Sequence, residues 1–186
     1  MPFPSRDDAL AILTEYTRGD SLRKHALAVE AAMRHYAAAL GEDVEAWGVA
    51  GLLHDFDYER YPSLDDHPFR GAEILRGLGH DEELIQTILS HADHTGVPRT
   101  TRMRQTLFAV DELCGFVTAV TLVRPSKKID EVEPSSVKKK LKDKAFARNV
   151  SRDDITAGAE LLGIPLDDHI QNVIAAMRGI SGELGL

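Results

Sequence analysis

The chain has 186 residues, 43% hydrophobic and 28% charged, an ordinary globular composition with enough apolar residues for a sizeable core without staples. Its one cysteine, Cys114, excludes an intrachain disulfide and fits a reducing, cytoplasmic location. A net charge of −8 argues against general nucleic-acid binding, which rests on Lys and Arg neutralising phosphates.

The opening stretch, Met1 to Asp8, has neither a basic start nor an apolar run, so no signal peptide is expected. No apolar run approaches the roughly 18 residues of a membrane span, and no membrane partner is expected. A first helix is predicted over 7–17, capped by Asp7 or Asp8, with Leu10 and Leu13 on its stripe. After the break at Gly19-Asp20-Ser21, a second runs to Leu40 and stops before Gly41, with Leu22, Val29, Met33, Tyr36 and Leu40 on one face. His25 shares that face.

Asp43 opens a third helix, where Ala46, Val49, Ala50 and Leu53 recur before the chain reaches His54-Asp55. Residues 56–64 read as a loop. Asp65 or Asp66 followed by Pro68 marks the next start and puts His67 in a first turn, with Phe69, Ala72, Leu75 and Leu78 as the buried face. Asp81 caps a helix in which Leu84 and Ile88 lead to His91 at i, i+4 and i+7. Asp93, His94 and a turn through residues 95–99 follow.

A long helix is predicted from about Arg102 to Val123, with Met103, Leu107, Val110, Cys114, Val117 and Thr121 on its face. Asp111 lies beside that stripe, mid-helix, where no cap is needed. Shorter helices follow over 136–142, 153–162 and 165–177, with a turn from Lys144 to Arg148. No segment alternates as a strand would, so the class is all-α. From Arg124 to Arg148 there are nine basic residues against four acids, a local +5 that leaves −13 elsewhere. Such a patch suits a small phosphorylated ligand better than a long polyanion.

His25, His54, Asp55 and Asp111 come from three helices that bury one face in a common core. Two imidazoles and two carboxylates suffice for one divalent ion with positions left for water. Four unrelated core polar residues would leave several buried groups unpaired at once, which is costly.

At these residues the chain resembles the HD-domain phosphohydrolase superfamily, whose pattern is H…HD…D. His25 matches the first histidine, His54-Asp55 the pair and Asp111 the final aspartate, over roughly residues 20 to 125. Phe56 and Asp57 stand where the HDIG form has Ile and Gly. Length points to one helical domain over 1–186, with residues 126–186 as a C-terminal extension beyond the resemblance. The resemblance implies a divalent ion, Mn, Fe, Co, Ni, Mg or Zn, and hydrolysis of phosphate esters or anhydrides. His67 and His91 match the extra histidines of members that hold two ions, with Asp55 bridging; His94 is the rival to His91, whose helical phase points inward. Asp55 is then the central catalytic carboxylate. Asp57 or Asp93 would position water or protonate the leaving group, and Arg99, Arg124, Lys127 and Lys128 are candidates to contact the phosphate of a nucleotide or other small phosphorylated substrate. The alternatives are a di-iron oxygenase of the same type and a non-catalytic binding or signalling module. Neither the oligomeric state nor the substrate is legible.

Overall fold

A computed structural model describes residues 3–186; Met1 and Pro2, the start of the stretch unlike a signal peptide, lie outside the described residues. Among the described residues there are ten α-helices, two short 3-10 turns and no strand. The helices are α1 (Arg6–Tyr16), α2 (Asp20–Leu40), α3 (Val44–Leu53), α4 (Phe69–Gly77), α5 (Glu82–Leu89), α6 (Arg102–Leu122), α7 (Pro134–Leu141), α8 (Arg152–Leu162), α9 (Leu166–Arg178) and α10 (Ser181–Leu184).

Most boundaries follow local chemistry. Asp43 accepts from the backbone N–H groups of Glu45 and Ala46, both at 3.0 Å, and so fixes the start of α3. Gly41 ends α2 in the left-handed conformation, φ 70°, which costs glycine little. The cap of α1 is Ser5, which accepts from Asp8 N–H, and not Asp7 or Asp8. Both aspartates then occupy the first turn, where they suit the helix dipole. Pro165 lies one residue outside α9 as its cap, and α10 had no periodic signal to announce it.

Two apolar clusters fill the interior. One joins α2, α6 and α9 through residues such as Met33, Leu113, Phe116, Val117, Val173 and Ile174. The other joins α1, α3, α4 and α5 through Leu13, Leu52, Leu53, Phe56, Leu75 and Ile85. Leu27 and Met103 pack against both. Each fully buried Leu, Ile or Phe contributes about 1.5–3 kcal/mol over leaving it in water. The predicted stripes hold except at helix ends, where Leu40, Phe69 and Leu78 are exposed.

α2 and α3 pack most closely. A Cβ on Gly51 would lie 3.0 Å from Glu30 Cα and N, so glycine lets the two backbones nearly touch. α6 passes through the middle of the bundle, against α2 on one side and α8 and α9 on the other. By length and composition it is apolar enough to cross a membrane, although Asp111 and Glu112 interrupt its apolar run, and 61% of that window is buried inside the bundle. Its apolar residues are core except Leu122, half-exposed at the helix end.

Candidate metal centre

The centre begins where α3 stops. His54 follows the last helical residue, and its Nδ1–H donates to the Gly51 carbonyl at 2.7 Å. That bond fixes the tautomer and turns Nε2 toward the carboxylates. Beyond it the chain turns at once, anchored by Phe56, whose ring is buried and whose carbonyl accepts from Thr17 at 2.9 Å. Asp55 is thereby held at the junction of α2, α3 and α6.

The two oxygens of Asp55 serve different neighbours. Oδ2 lies 3.5 Å from His54 Nε2, whereas Oδ1 lies 3.2 Å from His67 Nε2 and 3.3 Å from His91 Nε2. On the first side, Asp111 Oδ1 is 2.9 Å from His25 Nε2 and 3.4 Å from His54 Nε2. The ligand atoms of His25, His54 and Asp55 fall within 4.8 Å of one another, as do those of Asp55, His67 and His91. Two metal-sized clusters thus share one carboxylate.

Neither His67 nor His91 is helical, contrary to expectation. α4 starts at Phe69, and His67 sits in the preceding turn. α5 ends at Leu89, so His91 is directed by a bond and not by helical phase: its Nδ1–H donates to Ile88 O at 2.6 Å. His94 is turned elsewhere, its Nε2–H donating to the His67 carbonyl at 2.9 Å. His91 is therefore the histidine the structure brings to Asp55.

The fit to a cation rests on lone pairs. In His54 and His91 the Nδ1 protons go to carbonyls, which leaves bare Nε2 atoms aimed at carboxylate oxygens. Two lone pairs facing each other repel unless a proton or a cation sits between them. His54 Nε2 is also fully buried with no hydrogen-bond partner, the kind of orphan that calls for an ion. Without metal, protons must fill that role. Burial opposes the charged form of His54, yet Asp55 and Asp111 outweigh it and raise its pKa well above the usual value. Burial likewise works against charge on His67, but its bonds to Asp55 and Asp57 push it up to about 9. Burial would raise Asp55 and Asp111, and the surrounding imidazoles instead hold both below the ordinary carboxylate range.

Asp57 is buried and faces away from the cleft. One oxygen accepts from His67 Nδ1 at 2.9 Å and the other from Gly71 N at 2.8 Å, near the start of α4. It positions His67 and does not reach a reacting atom. Asp93 lies at the cleft rim, paired with Arg99 at 2.6 Å. Arg99 itself donates to the carbonyls of Ser90 and His91 and lies over the Phe108 ring, so it pins the loop that carries His91 instead of offering its charge to a phosphate. Arg124, Lys127 and Lys128 do not line this cleft either. Leu122, the last residue of α6, is already about 16 Å beyond Asp111 at 1.5 Å per residue. Arg124 instead bonds to the Glu131 backbone and joins Lys139 and Lys140 around a separate surface cleft.

The open space above Asp55 and Asp111 is about 600 Å³. Its walls include three residues that periodicity did not single out: Tyr58, Glu112 and Asp154. Tyr58, expected only to pack in its loop, sets its ring edge-on against His67, with centroids 5.2 Å apart. Glu112 is one residue past Asp111, and the one available signal was that adjacency. Burial, with Asp111's charge added, pushes its carboxyl up to about 7, although Ser151 N–H bonds to it.

Residues 22–114, which include all six clustered side chains, match the family model of the HD domain. Among curated proteins the chain is similar to Ribonuclease Y of Thermosipho melanesiensis, 29% identical over 165 residues, 84% of this chain and 30% of that protein. It is also similar to Ribonuclease Y of Lawsonia intracellularis, 33% identical over 91 residues, 47% of this chain and 16% of that one. A third, from Cutibacterium acnes, is 26% identical over 127 residues, 67% of this chain and 21% of the relative. The chain therefore spans less than a third of the length of these relatives. No solved structure matches.

Proposed function

The chain belongs to the HD-domain family, a family of metal-dependent phosphohydrolases, and we propose that it hydrolyses a nucleotide or other small phosphorylated metabolite with one or two divalent ions. The observation that carries this reading is the division of Asp55, with Oδ2 toward His54 and Oδ1 toward His67 and His91. His25, His54, Asp55 and Asp111 would hold one ion, and Asp55, His67 and His91 the other. A divalent ion in such a set supplies a nucleophilic water near neutral pH and draws charge from a phosphoryl oxygen.

The protein's own groups do the rest. Gly51 and Ile88 carbonyls hold the tautomers of His54 and His91, and Asp57 holds that of His67. Asp57 faces away from the cleft on His67 and Gly71, whereas Asp93, paired with Arg99, lies at the cleft rim, where it would order water or the departing group. In the reaction a bond forms from water oxygen to phosphorus, the P–O bond to the leaving group breaks, and a proton passes to the leaving oxygen.

Ribonuclease Y as the name of three relatives favours a second reading, cleavage of an RNA phosphodiester. The cleft walls give it little support, because among the described residues they hold no Lys or Arg and include Asp93, Glu112 and Asp154. The test is reconstitution with each of Mn, Fe, Co, Ni, Mg and Zn, followed by a phosphate-ester panel and an end-labelled RNA. Metal-dependent phosphate release from small esters is the expected result. Protein inert to every ester but consuming oxygen with ferrous iron would replace this reading with the oxygenase one.

A further inference from the structure

A second cavity, of about 380 Å³, adjoins the metal cleft and shares His25 and Gly115 with it as common wall. It runs between the first turns of α2, at Ser21 and Lys24, and the later half of α6, at Thr118 and Leu122, with Leu184, Gly185 and Leu186 also on its wall. On α6, Asp111, Gly115, Thr118 and Leu122 follow one another at helical spacing along one face. Gly115, Thr118 and Leu122 stand about 6, 10 and 16 Å beyond Asp111 along the axis. The groove thus leads away from the metal centre over roughly the length of a nucleoside.

Its walls have a definite chemistry. Leu122 and Leu184 are apolar, and the Thr118 hydroxyl is spent on the Cys114 carbonyl at 2.9 Å, so the threonine presents chiefly its methyl group. Ser21, Lys24 and the Asp20 carboxylate, paired with Lys24 at 2.8 Å, supply donors and an acceptor along one edge. Lys24 is the one basic side chain other than histidine lining either cavity among the described residues. A flat apolar ring system with a hydrogen-bonding edge suits this lining better than a polyol, which needs a polar partner for each hydroxyl, or an alkyl chain, which would leave the polar edge unused. Gly115 adds no side chain to the shared wall, where a Cβ would just meet the His25 ring at 4.0 Å.

We propose that this groove is the leaving-group subsite, and that it takes the base end of a nucleoside whose 5′-phosphate sits at the metal centre. This placement rests on the phosphohydrolase reading. Adenosine 5′-monophosphate and glycerol 3-phosphate test it, since both lose an alkoxide of similar character and differ in what would fill the groove. In metal-loaded protein, kcat/KM for the nucleotide should exceed that for glycerol phosphate by at least about tenfold, equivalent to about 1.4 kcal/mol of groove contact. Thr118→Trp, which fills the groove, should reduce that ratio to within about threefold, and Leu122→Asp, at a half-exposed position that tolerates a charge, should do the same.

Adenosine binding to metal-free protein, followed by saturation-transfer NMR with glycerol as control, gives a readout independent of turnover. It should weaken at least about tenfold in Thr118→Trp and in Leu122→Asp. Equal use of the two esters by the wild type, or a nucleotide preference that survives both substitutions, would overturn the subsite. Adenosine binding that both substitutions abolish, in a protein that hydrolyses neither ester, would keep the groove as a nucleoside site and remove the phosphohydrolase reading instead.

Discussion

His67 Nδ1 lies 2.9 Å from Asp57 Oδ1, and this buried bond aims the opposite nitrogen at Asp55. Asp57 was a candidate for proton transfer, yet its geometry is that of a carboxylate orienting a metal-type histidine. The second oxygen bonds Gly71 N at the start of α4, so one side chain sets both a helix start and a ring orientation. Asp57→Asn should weaken metal binding at the His67–His91 cluster by about 10–100-fold while leaving the His25–Asp111 cluster nearly unchanged. Calorimetric metal titration, resolving two binding steps, would show it. A Cβ on Gly71 would fall 2.9 Å from the Asp57 carboxylate carbon, so Gly71→Ala should give the same selective loss.

Asp55 touches both clusters, and its loss should cost the most. Asp55→Ala removes a ligand from each proposed ion, whose joint stabilisation of transition-state charge is several kcal/mol, or about a thousandfold in kcat at 1.36 kcal/mol per decade. His91→Ala affects one cluster and should leave a larger residual rate. Because this stabilisation acts in the transition state, kcat should fall and not only KM rise. Steady-state kinetics of folded variants decide the matter, and near-normal turnover by Asp55→Ala would remove the mechanism.

The raised pKa of His67 makes metal uptake pH-dependent. In metal-free protein its charged form, favoured by Asp55 and Asp57, contributes stability that is fully present below the unfolded value of 6.5 and is lost as pH rises through about 9. A ligating imidazole must be neutral, so ion binding at pH 7 should release a proton from this residue, and affinity should climb toward pH 9. Calorimetry in buffers of different ionisation enthalpy would count the protons. Metal-free protein should also lose thermal stability from pH 7 to 9.5 through this group.

His169 should act with the opposite sign. It accepts from Tyr36 Oη through Nδ1 at 2.6 Å and donates from Nε2 to Ala109 O at 2.9 Å, tying α9 to α2 and α6. Burial lowers its pKa below 6.5, so it stays neutral in the fold. Its contribution is complete above 6.5 and is lost as pH falls below that, when the unfolded chain takes a proton that the folded one refuses. His169→Gln keeps a donor and an acceptor without a titrating ring. The variant should be about 1 kcal/mol less stable at pH 8, with a shallower decline in Tm between pH 6.5 and 5 than the wild type.

Helical phase made His25, His54 and Asp111 legible, because each lies on or beside an apolar stripe that had to face inward. The same logic reached His91 for the wrong reason, since α5 stops two residues short and a bond to Ile88 O sets the ring. The roles of Asp57, Tyr58 and Glu112 depend on which loop crosses which helix, and no periodicity encodes that crossing. Arg99 shows the same limit: its charge was visible, but not that two carbonyls, an aspartate and a ring would take it up. A charge count marks the basic segment but says nothing of where α7 packs.

The burial of α6 has a consequence for how this protein is made. α8 and α9 cover the face of α6 formed by Leu113, Phe116 and Val117, through Ile155, Ile170, Val173 and Ile174. α8 lies so close that a Cβ on Gly158 would fall 2.7 Å from Ala109 Cα. A chain made only as far as residue 125 contains every clustered histidine and aspartate, the whole matched region and α2 to cover one side of α6, but lacks α8 and α9 to cover the other. Until α8 and α9 follow, the face of α6 that they cover stays open as an apolar surface for aggregation or chaperone binding. A fragment cut after residue 125 should therefore be recovered as aggregate or chaperone-bound, however complete its set of metal-type side chains.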